Sequence, residues 1–191
     1  MRKRIAAAAA ILGALLTAGA GSAHTAGTAG DVRAGFGSPF LAFPAFGVPS
    51  LELVQARMAT VRFRSVAEAV RAGYVPGSPC VSSPAGGMGI HYENRALMAD
   101  PVVDVTRPEI LLYEPTARGL RLVGLEYWKA DADQNPGTTG DRPSLFGRSF
   151  DGPMPGHNPV MPMHYDLHVW IWKPNPLGRF APFNPRVTCP A

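Results

Sequence analysis

The segment HYDLHVWIWKPNP, residues 164–176, places two histidines and an aspartate at alternating positions. Successive side chains of a β-strand lie on opposite faces, so His164, Asp166 and His168 are predicted to share one face. Imidazole and carboxylate groups that meet on one face can bind a metal ion or transfer a proton. Neighbouring strands that add further groups of this kind would turn the face into a site.

Two other segments carry matching groups. His91 and Glu93 alternate in GGMGIHYE, and LRLVGLEYWK is predicted to place Leu120, Leu122, Gly124, Glu126 and Trp128 on one face. Two histidines plus one carboxylate with open positions is the ligand set of non-haem iron sites and related centres. We predict that the strands converge, with the best candidates for metal ligands or acid–base groups being His91, Glu126 and His168, and the alternates Glu93, His164 and Asp166.

These residue types bind iron, zinc, manganese or copper, so the pattern predicts one transition metal ion without selecting it. Trp128, Trp170 and Trp172 are predicted to line a ligand pocket beside it. Two alternatives stay open. A metal-free pair, His168 with Asp166 or His91 with Glu126, could move a proton on a small apolar substrate. A non-catalytic protein of the cell envelope could instead use the aromatic surface for a ligand or a partner.

A third hypothesis comes from the methionine-rich segment MPGHNPVMPMHYDLH, residues 154–168. Thioether and imidazole ligands together favour copper, although methionine also fills irregular gaps in a core. The candidate copper ligands are Met154, His157, Met161, Met163, His164 and His168.

The first residues predict export. Arg2, Lys3 and Arg4 precede the apolar run Ile5 to Ala20, and small residues follow, as in a secretory signal peptide over residues 1–23 cleaved after Ala20 or Ala23. Without those three cations the chain keeps an excess of one positive charge. We therefore expect a secreted or extracytoplasmic protein with no transmembrane span after signal removal, and no nucleic-acid partner.

The chain has two cysteines, Cys80 and Cys189. In an exported protein a widely separated pair predicts one structural disulfide, here between the chain after the first helical region and the C-terminal tail.

The remaining pattern predicts an α+β fold. After a Gly/Ala/Pro-rich lead (24–50), one domain (51–191) is expected to have short N-terminal helices packed on a curved, mainly antiparallel sheet of about four or more strands. Ser50 precedes the first helix, and Ser65 with Glu68 forms a capping-box pattern before the second. The predicted strands are 88–93, 109–113, 120–129 and 164–173.

Several strings resemble a group of exported bacterial proteins: GGMGIHYEN, PEILLYEP, LRLVGLEYW, PSLFG and LHVWIWKPNPLGRF. The resemblance covers roughly residues 60–190 and implies one exported domain. It brings no substrate, cofactor or catalytic residue. A weaker likeness to cupins rests on the H-x-E of His91 and Glu93, but the cupin pattern of H-x-H followed by a glutamate is not met.

Overall fold

A computed structural model describes residues 50–190. The predicted signal peptide and all of the predicted lead before residue 50 lie outside the described residues. In chain order the elements are α1 (Leu51–Thr60), a 3₁₀ turn (Val61–Arg64), α2 (Val66–Arg71), β1 (Val75–Ser83), β2 (Gly86–Glu93), α3 (Arg95–Met98), β3 (Ile110–Thr116), β4 (Gly119–Ala130), β5 (Ser144–Leu145), β6 (Arg148–Ser149), β7 (Asp151–Met154) and β8 (His164–Val169).

Six strands form one sheet in the order β1-β2-β3-β4-β8-β7, and every neighbouring pair is antiparallel. The sheet curls into a half-barrel, while β5 and β6 form a separate two-stranded hairpin. The α+β prediction with short helices and a curved antiparallel sheet is confirmed. None of the helices within residues 50–190 is long and apolar enough to cross a bilayer.

Both predicted N-terminal helices are present, but only one has the predicted cap. The Ser50 hydroxyl accepts a hydrogen bond from the backbone N–H of Leu53, with 3.3 Å between the oxygen and the nitrogen. At α2 the capping-box prediction is wrong, because the Ser65 side chain makes no capping bond. Glu68 instead binds Arg71 one turn along the exposed helix surface, a contact of the i,i+3 kind that competes with reciprocal capping.

The two edge strands, β1 and β7, were not predicted. Their sequences, VPGSPCVSS and DGPM, contain the proline and glycine residues that are typical of turns. Proline has no N–H to donate, so a sheet tolerates it at an edge, where one side of the strand is unpaired. Cys80 therefore lies in an edge strand, β1.

Each face of the sheet has its own apolar core. The helices cover one face, where Tyr92, Tyr127 and Tyr165 are buried with Leu111, Leu125 and Phe63. The other face has a smaller core, formed by Ile110, Leu112, Val123, Trp128, Trp170 and Val187. The predicted polar residues of β2 and β8 alternate with Tyr92 and Tyr165 and therefore lie on the face opposite these tyrosines.

A β-bulge in β4 changes which residues share a face. Leu112 pairs with Gly124, but the next residue, Tyr113, pairs with Leu122, so Val123 has no partner. An extra residue shifts the alternation of side chains by one position. The prediction that Leu120 and Leu122 share a face with Glu126 is therefore wrong, since both pack with the helix-side core.

The C-terminal segment is fastened to the sheet at three points. Cys189 forms the predicted disulfide with Cys80. Asn184 and Gly87 exchange two backbone hydrogen bonds, with N···O distances of 3.1 and 3.0 Å. The backbone N–H of Thr188 donates to the buried Glu114 carboxylate, with 3.1 Å between the nitrogen and the oxygen. Residues 184–189 are thus held against β1, β2 and β3.

Candidate metal centre

Three strands bring together His91 from β2, Glu126 from β4 and His168 from β8. Glu126 and His168 are directly opposite each other in the antiparallel pair of β4 and β8. His91 is separated from Glu126 by the whole of β3. Neighbouring strands lie nearly 5 Å apart, so these two side chains touch because the sheet curls. We call the three residues the imidazole–carboxylate cluster.

The potential ligand atoms of this cluster lie within 4.8 Å of one another. The Oε2 atom of Glu126 is 3.2 Å from Nε2 of His91 and 3.6 Å from Nε2 of His168. The side chains of Glu126 and His168 are each 3% exposed, whereas that of His91 is 12% exposed. His91 is thus the most exposed member of the cluster.

The buried polar atoms of the cluster are poorly satisfied. Within the described part of the chain, Oε2 of Glu126 and both ring nitrogens of His168 have no partner that meets hydrogen-bond geometry. Leaving a buried polar atom without a partner costs about 1–3 kcal/mol, and more for a charged group. A cation at the centre of the cluster would bind Oε2 of Glu126 and Nε2 of His168 and so remove the cost of leaving those two atoms unpaired.

Ser78 of β1 contacts both the backbone and the ring of His91. The Ser78 hydroxyl accepts from the backbone N–H of His91 at 3.2 Å and lies 2.8 Å from the carbonyl oxygen of Pro79, to which it can donate. We assign the hydroxyl hydrogen to Pro79, so that the Ser78 oxygen, 2.9 Å from Nδ1 of His91, accepts the ring N–H. In this tautomer Nε2 of His91 presents its lone pair to Glu126.

This arrangement sets two acceptors, Nε2 of His91 and Oε2 of Glu126, against each other at 3.2 Å. Two acceptors repel unless a proton or a metal ion lies between them. Metal-bound histidines commonly donate their other ring N–H to a second group, as His91 does to Ser78. Sequence reasoning missed Ser78, because its segment was not predicted as a strand and its contact with His91 depends on the pairing of β1 with β2.

The pKa shifts of the cluster also call for a positive charge. Burial raises the pKa of Glu126, but the imidazoles of His168 and His91 outweigh it and the pKa is lowered. Burial lowers the pKa of His168 against the opposing effect of Glu126. Because His168 is fully buried, we infer that its ring is neutral. The negative charge of Glu126 is then left for a bound cation to balance.

The alternates surround the cluster without joining it. Oδ1 of Asp166 is 3.8 Å from Nδ1 of His168, which places Asp166 beside the ring but beyond hydrogen-bond distance. Burial, then the charges of Glu126 and Asp151, raise the pKa of Asp166 to about 8. Glu93 and His164 line the adjoining cavity of about 480 Å³.

Of the three predicted pocket tryptophans, Trp128 lines this cavity. The prediction is corrected for Trp172, whose indole N–H donates to Thr60 of α1 and whose ring lies under the Arg57 guanidinium. It is also corrected for Trp170, whose indole N–H donates to the carbonyl of Ala181 and whose residue lines a different, surface groove. Strand β8 ends at Val169, so the alternation of faces does not extend to these residues.

The structure divides the predicted copper-binding set. His157, Met161 and His164 line the cavity, whereas His168 belongs to the imidazole–carboxylate cluster. Met154 and Met163 are not among the residues that line the cavity. Met161 is partly buried against the smaller core, which is the packing role of methionine.

The two separations from Glu126 suit one metal ion. Ligands about 2.0–2.2 Å from a tetrahedral ion lie about 3.3–3.6 Å from each other, and Oε2 of Glu126 is 3.2 and 3.6 Å from the two histidine nitrogens. Two histidines and a glutamate occur in catalytic zinc centres and, as a facial triad, in iron(II) centres. Both leave positions for water or substrate, and here they would face the cavity.

Comparisons with protein-family models, with curated proteins and with solved structures give no match for this chain. The function is therefore inferred from the site alone.

Proposed function

We propose that this protein binds one divalent transition metal ion through Nε2 of His91, a carboxylate oxygen of Glu126 and Nε2 of His168. The observation that carries the proposal is the group of buried, unpaired atoms that face one another in this cluster. Ser78 is the group that would orient the His91 ring through its hydrogen bond to Nδ1. The open side of the centre is the cavity, where a small molecule would meet the metal.

We further propose that the protein works outside the cytoplasm. The disulfide between Cys80 and Cys189 is of the kind that persists in oxidising compartments. The signal-like residues 1–23 and the resemblance to exported bacterial proteins support the same location.

The test is the metal content of the full chain, purified from the extracytoplasmic fraction without a tag. Elemental mass spectrometry gives the metal and its stoichiometry, and the intact mass shows whether 20 or 23 residues were removed. We expect close to one metal ion per chain, lost in His91→Ala and in His168→Ala. His157→Ala is the matched control, because His157 is an exposed histidine of the cavity rim outside the cluster.

Protein that purifies without metal is then titrated with Zn²⁺ against a chromophoric chelator. Circular dichroism and an intact disulfide establish that each variant is folded. A folded wild-type protein that neither contains nor binds a metal would refute the proposal. The same result would favour a proton-transferring His91–Glu126 pair, in which a proton occupies the 3.2 Å gap between the two side chains.

A further inference from the structure

The cavity beside the imidazole–carboxylate cluster has a second set of unpaired polar atoms. Trp128 and His164 both line it, and their residues are 4% and 0% exposed. The indole Nε1 of Trp128 and Nε2 of His164 are buried and have no hydrogen-bond partner within residues 50–190. We call these residues the Trp128–His164 pair.

One member of the pair donates and the other accepts. An indole N–H is a donor only. Nδ1 of His164 is 3.1 Å from the carbonyl oxygen of Pro162, which can only accept, so the ring proton is on Nδ1 and Nε2 has a free lone pair. The two rings stack with centroids 5.5 Å apart and an interplanar angle of 26°. The donor and the acceptor thus belong to two stacked rings that both line the cavity.

The rest of the wall is mainly apolar. Val81, Met88, Ile110, Met161 and Phe183 contribute hydrocarbon, aromatic or thioether surface. Glu93 and Glu126 add carboxylates, which disfavour an anionic ligand in the metal-free protein. A cavity of about 480 Å³ falls in the range that holds small organic molecules.

We infer that the cavity binds a small, uncharged, largely apolar molecule through a hydroxyl group, which accepts from the Trp128 indole N–H and donates to Nε2 of His164. A hydroxyl is both donor and acceptor, so it satisfies the two buried atoms at once. The inference deepens the proposed function, since the metal would lie in the same cavity as this molecule. Binding of the molecule itself depends on the pair and not on the metal.

The test uses phenol, toluene and benzoate, which are similar in size, with protein whose tryptophan nitrogens are ¹⁵N-labelled. The three indole N–H resonances are followed by NMR in metal-free and in zinc-treated protein, and Trp128→Phe assigns the Trp128 signal. Trp170 and Trp172 are internal controls, because their indole N–H groups already donate to Ala181 and Thr60. Phenol is expected to shift the Trp128 signal selectively in the metal-free protein.

Phenol should bind roughly 5- to 150-fold more tightly than toluene, as expected for two net hydrogen bonds, and benzoate should bind the metal-free protein more weakly than phenol. His164→Phe should reduce the preference for phenol over toluene while toluene still binds. No phenol shift at Trp128, an equal shift at all three indoles, or equal binding of the three probes would overturn the inference. A phenol shift without zinc binding would overturn the metal proposal alone, and zinc binding without a phenol shift would overturn this inference alone.

Discussion

Replacing Ser78 by alanine tests the proposed centre through a residue that would not touch the metal. The substitution removes the acceptor for the Nδ1–H of His91, at 2.9 Å from the ring nitrogen. His91 can then turn or take the other tautomer, in which Nε2 carries the proton and cannot bind a metal. Loss of a hydrogen-bond partner behind a metal-bound histidine typically weakens metal binding 10- to 100-fold. We expect a loss of this size, about 1.4–2.7 kcal/mol, for Zn²⁺.

The assay is competition for Zn²⁺ between the protein and a chromophoric chelator at constant pH. Ser82→Ala is the matched control, because Ser82 lies in the same strand with an exposed side chain. Ser78→Ala also removes the acceptor for the backbone N–H of His91, which should lower the free energy of unfolding by about 1–3 kcal/mol. Urea unfolding of the metal-free proteins measures that part separately. A folded Ser78→Ala protein with wild-type zinc affinity would refute the assigned tautomer.

Two predictions concern the fold. The disulfide closes a loop of more than 100 residues, so Cys80→Ser with Cys189→Ser should lower the free energy of unfolding by about 4–5 kcal/mol in the chain-entropy model, measured by urea unfolding. An unchanged midpoint would show that the tail is held by Asn184 and Glu114 alone. Burial raises the pKa of Glu109 from 4.5 to about 8, although a hydrogen bond from the Trp128 backbone N–H opposes this shift. The folded state therefore binds the proton of Glu109 more tightly than the unfolded state does. The free energy of unfolding should consequently fall by up to about 5 kcal/mol as the pH rises from 4.5 towards 8. Glu109→Gln keeps an acceptor and cannot ionise, so the difference between the two stability–pH profiles isolates Glu109; parallel profiles would contradict this account.

Local sequence patterns were sufficient for the elements that obey one simple rule. Ser50 and the residues after it predicted α1, and the alternation of Tyr165 and Leu167 with His164 and His168 predicted β8 and its polar face. Such patterns depend on contacts close in sequence or on a regular period. They predicted the α+β class and the set of side chains that could meet.

The tertiary structure decided which of those side chains do meet. Glu126 lies directly opposite His168 in the pairing of β4 with β8. The bulge at Val123 places Leu122 on the other face of the sheet. The end of β8 at Val169 turns Trp172 away from the cavity and towards α1. Neither feature has a local signal, because a bulge or a strand end is fixed by the strands that pair beside it.

The sequence by itself determined the chemistry that is present: two imidazoles and a carboxylate on strands, one disulfide pair and a signal-like start. Only the tertiary structure decided that His91 reaches Glu126 across β3, and that Ser78 of an unpredicted edge strand orients it. Alternation fixes the face on which a side chain lies, whereas distances between strands depend on strand order and curl. Those are properties of the whole sheet, which is why the candidate centre could be listed residue by residue from the sequence but assembled only from the fold.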